Sequence, residues 1–249
     1  MKAMIFAAGL GTRLKPITDT MPKALVPVCG EPLLYHVICK LRSAGYDDIV
    51  VNVHHFADKI RQYLGEHDFG VRISISDETD LLRETGGAIR HARNLLCEAG
   101  HFLVHNVDIA SNLDLEWFRS MMRPDALATL LVSERKTQRY LLFNDDMHLV
   151  GWTNIATGEV RSPYPDLDPA DCRRYAFAGI HNISSGIFRV FEEHACPERF
   201  SIIDFYLRVC KEYPVYGAVQ DNLTIIDVGK LENLAEAEHI YKKTSIFAL

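Results

Sequence analysis

Ala7-Ala8-Gly9-Leu10-Gly11-Thr12-Arg13-Leu14-Lys15-Pro16, continued by Met21-Pro22-Lys23-Ala24-Leu25-Val26-Pro27-Val28, is the stretch on which the fold turns. It follows Ala3–Ala8, an all-apolar run ending in glycine, as expected of a strand buried on both faces. A glycine-rich loop leaving the C-terminal end of a first strand lies where open α/β sheets bind ligands. Its glycines let backbone N–H groups approach phosphate oxygens without a Cβ in the way. Two well-known phosphate loops are excluded. The dinucleotide pattern fails because Leu14 replaces the third glycine and the next helix starts about twenty residues late. The P-loop ending G-K-[ST] is absent, since Gly229-Lys230 is followed by Leu231. What this loop adds is two cations, Arg13 and Lys23, among Pro16, Pro22 and Pro27. The fixed φ of those prolines reduces the entropy lost when the loop orders around a ligand.

Outward from the loop, the first 110 residues alternate strand and helix. Leu34, Val37, Ile38 and Leu41 recur at helical spacing, and Gly45 supplies the stop. Ile49–Val53 reads as a β-branched strand, and Phe56, Ile60, Tyr63 and Leu64 mark a helix ending at Gly65. Val71, Ile73 and Ile75 alternate as a strand, Ala88–Leu96 is helical, and Phe102–Val107 is an apolar run ending at Asp108. This order predicts an α/β fold: a Rossmann-like mixed, mainly parallel sheet flanked by helices.

After Asp108 the pattern changes. Asp114–Met122 predicts a helix, Ala126–Ser133 a strand, and Tyr140–Phe143 with Leu149–Trp152 a hairpin around Asn144-Asp145-Asp146. Residues 157–172, rich in Pro, Asp, Ser and Gly, predict a long loop of the kind that often serves as a lid or binding segment. Arg174–Ile183 predicts a strand, and Ser201 caps a helix through Lys211 with Asp204 at the capping-box position. Val215–Val219 and Leu223–Val228 are expected to pair around Asp221-Asn222, before a closing helix over Glu232–Tyr241. With no repeat and no linker, the expectation is one domain over residues 1–249.

Composition narrows the function. Of 249 residues, 48% are apolar and 24% charged, and a chain of this size needs no disulfide or metal for a core. Lys and Arg number 27 against 33 Asp and Glu, a formal charge of −6. That balance argues against nucleic acid or an anionic membrane as the main partner, while a few local cations can still bind phosphate. Six cysteines without C-x-x-C or zinc-like spacing read as buried free thiols of a reducing cytoplasm. The opening apolar run is too short for a signal peptide, and no apolar stretch reaches the roughly 18 residues of a membrane span.

Asp108 ends a buried strand and Asp227 ends another far along the chain; two carboxylates at strand ends can meet at one Mg²⁺, but by position alone each reads as a helix cap or a loop-anchoring group. Asp114 and Asp204 read as helix-capping groups. No G-x-S-x-G, H-E-x-x-H or nucleophilic dyad is evident. His54-His55 read as strand-end residues, the His101/His105 spacing falls on a strand, and Trp117-Phe118 reads as core.

The loop signature, with Glu84-Thr85-Gly86-Gly87-Ala88, Asn106-Val107-Asp108, Phe177-Ala178-Gly179-Ile180 and Asp227-Val228-Gly229, resembles the sugar-1-phosphate nucleotidyltransferases, the nucleoside-diphosphate-sugar pyrophosphorylases. The resemblance covers essentially residues 2–240, in the family's order. It implies attack by a sugar-1-phosphate oxygen on the α-phosphorus of an NTP, UTP or GTP, releasing pyrophosphate with Mg²⁺ as cofactor. It further implies a nucleotide-binding half over 2–110 and a sugar-phosphate half over 111–243. By resemblance, Gly11, Thr12 and Arg13 hold the β,γ-phosphates, and Lys23 bridges phosphates and offsets charge in the transition state. Ala8, Gly9 and Gly87 line the base and ribose pocket through their backbones, with Glu78 a weaker base contact. Asn106 and Gly179 face the sugar phosphate, Asp108 and Asp227 hold the metal, and Lys136, Arg135 and Arg139 are candidates for a further sugar-phosphate cation. Val107 stands where the family usually has glycine and is expected to pack into the core. Leu82-Arg83-Glu84-Thr85-Gly86-Gly87 and Asp227-Val228-Gly229 with Leu234-Ala235-Glu236-Ala237-Glu238 look most like the N-acetylmuramate 1-phosphate uridylyltransferase branch. The mannose-1-phosphate guanylyltransferase branch is similar. Competing classes are a silent nucleotide- or sugar-phosphate-binding regulatory homologue and a cytidylyltransferase for an amino-alcohol phosphate.

Overall fold

The computed structural model describes residues 1–243. The first half builds β1 (Lys2–Phe6), a short ladder of β2 (Pro27–Val28) and β3 (Glu31–Pro32), α1 (Leu33–Ser43), β4 (Asp48–Val53) and α2 (Ala57–Glu66). β5 (Arg72–Asp77), α3 (Glu84–His91), α4 (Arg93–Leu96) and β6 (His101–Asn106) follow. β6, β1, β4 and β5 lie side by side and parallel, as the alternating pattern predicts. All six residues of β4 are buried, because helices cover both faces of the sheet. Alternate residues feed two cores: Ala3, Ile5, Ile49 and Val51 face α1 and α2, whereas Met4, Val50 and Val104 face α3 and α4.

The second half comprises β7 (Ile109–Ser111), α5 (Leu115–Ser120), β8 (Ala128–Ser133), β9 (Arg139–Phe143), β10 (Leu149–Asn154) and β11 (Glu159–Arg161). The twelve-residue β12 (Arg173–Ser184), α6 (Ile187–Glu193), α7 (Ile202–Val209), β13 (Val215–Ala218), β14 (Ile225–Asp227) and α8 (Leu234–Lys243) complete it. β12 is the seam. It runs antiparallel to β6 on one side, and to β9 and β8 on the other. Asp114 caps α5 by accepting from Glu116 N and Trp117 N, and Ser201 Oγ caps α7 by accepting from Asp204 N.

Several expectations are corrected. Val215–Val219 and Leu223–Val228 do not pair with each other: β13 joins β8 in parallel and β14 joins β7. Asn112 draws the second segment away by donating from Nδ2 to Asn222 O and accepting from Thr224 N. The Pro-rich stretch 157–172 contains β11, paired with β10 and held by the Arg161 guanidinium over the Trp152 ring at 4.7 Å. None of its residues lines the cleft described below. The helix expected from Ala88 begins at Glu84 and breaks into α3 and α4, so Gly86 and Gly87 are helical. α6 was not anticipated. Among the cysteines only Cys39, Cys196 and Cys210 are buried, and Cys97 is exposed. No helix among the described residues is long and apolar enough to cross a membrane.

Candidate active site

The glycine-rich loop leaves the C-terminal edge of β1 and forms one wall of a cleft of about 600 Å³. Its bend depends on Gly11, at φ +66°, where a Cβ would lie 2.9 Å from Thr18 Cγ2 and 3.1 Å from Lys23 Cβ. Gly11 O accepts from Thr18 Oγ1 at 2.8 Å and Leu14 N at 2.9 Å, and the buried Leu14 pins the turn to the core. The amides of Gly9, Leu10 and Gly11 meet no protein acceptor among the described residues. They are available to phosphate oxygens.

The opposite end of the cleft is set by two ladders. β6 carries Asn106 to its tip, and Asp108 follows two residues later. β14 pairs with β7 so that Asp227 stands opposite Ile109, and Val228 N donates to Asp108 O at 2.8 Å. The two aspartates, far apart in sequence, thereby become neighbours. Each is paired with a cation of the loop: Lys23 Nζ with Asp108 Oδ2, and Arg13 Nη1 with Asp227 Oδ2 at 3.5 Å. Gly229 makes room for the second pair, since a Cβ there would sit 2.5 Å from Asp227 Oδ1 and 2.6 Å from Arg13 Nη2.

Asp227 Oδ1 is buried and has no hydrogen-bond partner among the described residues. An orphaned carboxylate oxygen beside a second aspartate fits a hard cation that takes one or two carboxylates plus phosphate and water. No group of three or more His, Cys, Asp or Glu side chains gathers for metal binding among the described residues. Two carboxylates fit a hard cation that fills its remaining positions with phosphate and water rather than one held in an all-protein cage.

On the second wall, Gly179 has φ +75°, and a Cβ there would meet Asn106 Nδ2 at 2.7 Å. It lies in a bulge where β12 advances from Phe177 to His181 while β8 advances only from Val132 to Leu130. Arg135 donates to Phe177 O at 3.2 Å, which ties this one of the three candidate cations to the same bulge. Val107 is 4% exposed and packs into the core that holds Ile5 and Ile180.

The cleft thus brings together Ala8, Gly9, Gly11, Thr12, Arg13, Lys23, Glu78, Asn106 and Asp108, with Asp227 and Gly179 one contact behind. Gly87 lies elsewhere: its N donates to Phe200 O, and a Cβ would stand 2.1 Å from Glu198 O. It packs α3 against the segment before α7, while Leu82, Glu84 and Thr85 line the cleft. Glu78 lines the cleft, but its carboxylate is fully buried and turned to Asn52 and to Arg83 N. Burial raises its pKa, against the lowering effect of those two hydrogen bonds. Sequence reasoning missed Asn52, Thr85, Ser201 and Gly229. For Asn52 a signal existed, a lone polar residue inside the strand Ile49–Val53.

A larger cleft of about 870 Å³ opens at the opposite sheet edge, beside the N-terminal ends of the strands. Its Lys2 and Arg72 are already paired with Asp48. Ligands of open parallel sheets bind at the other edge.

The N-acetylmuramate alpha-1-phosphate uridylyltransferase of Caulobacter vibrioides is 47% identical over 109 residues, 43% of this chain and 45% of the relative. The mannose-1-phosphate guanylyltransferase catalytic subunit beta of Xenopus tropicalis is 37% identical over 119 residues, 47% of this chain and 33% of the relative. The chain therefore spans less than half the length of these curated relatives. In three dimensions HddC from Yersinia pseudotuberculosis superposes with a TM-score of 0.74 at 24% identity, covering 96% of this chain and 98% of that one. That likeness speaks for the fold. The description of nucleotidyl transferases matches residues 2–244, and the chain belongs to the nucleotidyl transferase family.

Proposed function

We propose that this chain transfers a nucleoside monophosphate from an NTP to a sugar 1-phosphate, giving an NDP-sugar and pyrophosphate, with Mg²⁺ as cofactor. The favoured pair is UTP with N-acetylmuramate 1-phosphate, the substrate named in the Caulobacter vibrioides relative. GTP with mannose 1-phosphate is the alternative, favoured by the Xenopus tropicalis relative. The observation that carries the reading is the convergence of Lys23–Asp108 and Arg13–Asp227 beside a loop with free backbone amides.

The nucleophile is an ionised phosphate oxygen, so no side chain needs to remove a proton. The difficulty is to bring two anions together and to stabilise the leaving pyrophosphate. The Gly11 amide, Thr12 and the Arg13 guanidinium hold the β,γ-phosphates, and Lys23 reaches the charge that develops on the departing oxygen. Asn106 and Gly179 shape the sugar-phosphate side, with Arg135 as the nearby cation. In taking phosphate partners, Arg13 and Lys23 release Asp227 and Asp108, the two residues that would hold Mg²⁺. When bound, Mg²⁺ supplies further neutralisation of the phosphates. One P–O bond forms at the α-phosphorus and the α–β bridge breaks.

Pyrophosphate release from the four NTPs against a panel of sugar 1-phosphates, with Mg²⁺, tests this. The expected result is turnover concentrated on UTP with N-acetylmuramate 1-phosphate. Tight nucleotide binding with no turnover for any pair would contradict it and leave a regulatory binding protein.

A further inference from the structure

Asn52 is the buried polar side chain that joins the two walls of the nucleotide side. In the β1–β4 register it stands beside Phe6, where the glycine-rich loop leaves the sheet. Backbone amides only donate, so the carboxamide must turn its oxygen to Ala7 N at 2.7 Å and Ala8 N at 3.3 Å. Its Nδ2 is left to donate to Glu78 Oε1 at 2.8 Å, while Glu78 Oε2 accepts from Arg83 N at 3.3 Å. Glu78 follows β5, and Arg83 precedes α3. One line of hydrogen bonds thus runs from the 7–8 peptide to the segment that presents Leu82, Glu84 and Thr85 to the cleft.

We propose that Asn52 and Glu78 are positioning residues that fix the Ala7–Ala8 peptide and, through it, the base-and-ribose side of the nucleotide site. The inference rests on the nucleotide-binding reading above and deepens it. Its content is a polarity: position 52 must accept from two amides and donate to a carboxylate, which a neutral amide does and a carboxylate does not. Asn52→Asp keeps the acceptor and sets two buried carboxylates against each other. Glu78→Gln supplies a donor through its Nε2 while its oxygen stays on Arg83 N. The pair Asn52→Asp with Glu78→Gln therefore reverses one hydrogen bond and preserves the rest.

The test measures UTP affinity, KM and kcat, and amide hydrogen exchange at Ala7 and Ala8 without nucleotide. Asn52→Asp is expected to weaken UTP binding about tenfold, to raise KM more than it lowers kcat, and to speed exchange at both amides. The double variant is expected to return affinity and exchange to within about threefold of the unaltered chain, a rescue that simple loss of packing does not produce. The proposal is overturned if the double variant is no better than Asn52→Asp, or if Asn52→Asp behaves as the unaltered chain does. Should Asn52→Asp fail to fold, a folded double variant with near-normal affinity supports the proposal and an unfolded one overturns it. Exchange in the nucleotide-free protein separates this result from the functional reading, which fails alone if the unaltered chain neither binds UTP nor turns over.

Discussion

Lys23–Asp108 and Arg13–Asp227 bring the same two charges together at one cleft, yet their surroundings differ. The side chains of the first pair are 10% and 18% exposed, and those of the second 57% and 32%. Charges interact more strongly where water is scarce, and an exposed arginine pair is worth little to stability. On the proposed function, the buried pair belongs to the built site, with a cation held where it can meet developing charge, and the exposed pair is a loose contact that a triphosphate takes over at small cost. The same contrast explains why Gly229 is needed beside Arg13, while Lys23 is enclosed by the loop that Gly11 bends.

Three variants put this contrast to the test. Lys23→Ala should lower kcat about a thousandfold and leave Asp108 uncompensated in a mostly buried site, at a cost of up to about 3 kcal/mol in stability. Steady-state kinetics and urea unfolding read both effects. Arg13→Ala should lower kcat/KM about a hundredfold, mainly through KM for the NTP, with a stability change within about 0.5 kcal/mol. An equal stability loss in the two variants would erase the distinction between the pairs. Gly229→Ala should displace the Arg13–Asp227 contact and cost about tenfold in kcat/KM, with Lys23–Asp108 untouched. Steady-state kinetics in which Gly229→Ala matches the unaltered enzyme would detach Gly229 from the site.

The smallest effect concerns the seam between the halves. His105 on β6 and His181 on β12 are buried and held down to about 3, His105 by burial and then by the Lys40 charge, His181 by burial. A histidine with a depressed folded pKa contributes stability present above its unfolded pKa near 6.5 and lost as pH falls toward the folded value. Each should therefore remove about 0.8 kcal/mol between pH 7.5 and pH 6. Urea midpoints across that range, compared with His181→Gln, check the slope. A variant slope equal to that of the unaltered chain would contradict the assignment.

The parallel half was legible because its strands are short apolar or alternating runs and its helices carry a clear period, as in Ile49–Val53 and Leu34 to Leu41. The antiparallel half was less so. Val215–Ala218 and Ile225–Asp227 satisfy a hairpin pattern equally well. Their true partners β8 and β7 are decided by tertiary groups such as Asn112, which no local period reveals. At the cleft, the loop residues could be expected together because they follow β1, and the two aspartates because Asp227 ends β14 and Asp108 lies just past β6. Gly87 was misplaced because a glycine that admits a neighbouring carbonyl looks, in sequence, like one that admits a ligand. Asn52 escaped notice because its function lies in whom it bonds, not in a motif.

A single turnover with UTP labelled at the α-phosphate, N-acetylmuramate 1-phosphate and Mg²⁺, run on the unaltered chain and on Lys23→Ala, reads the transfer and the role of Lys23 together. Label is expected to pass into the sugar nucleotide in the first and, on the same timescale, to stay in UTP in the second. Label that stays in UTP with the unaltered chain, or passes equally in both, would contradict that expectation.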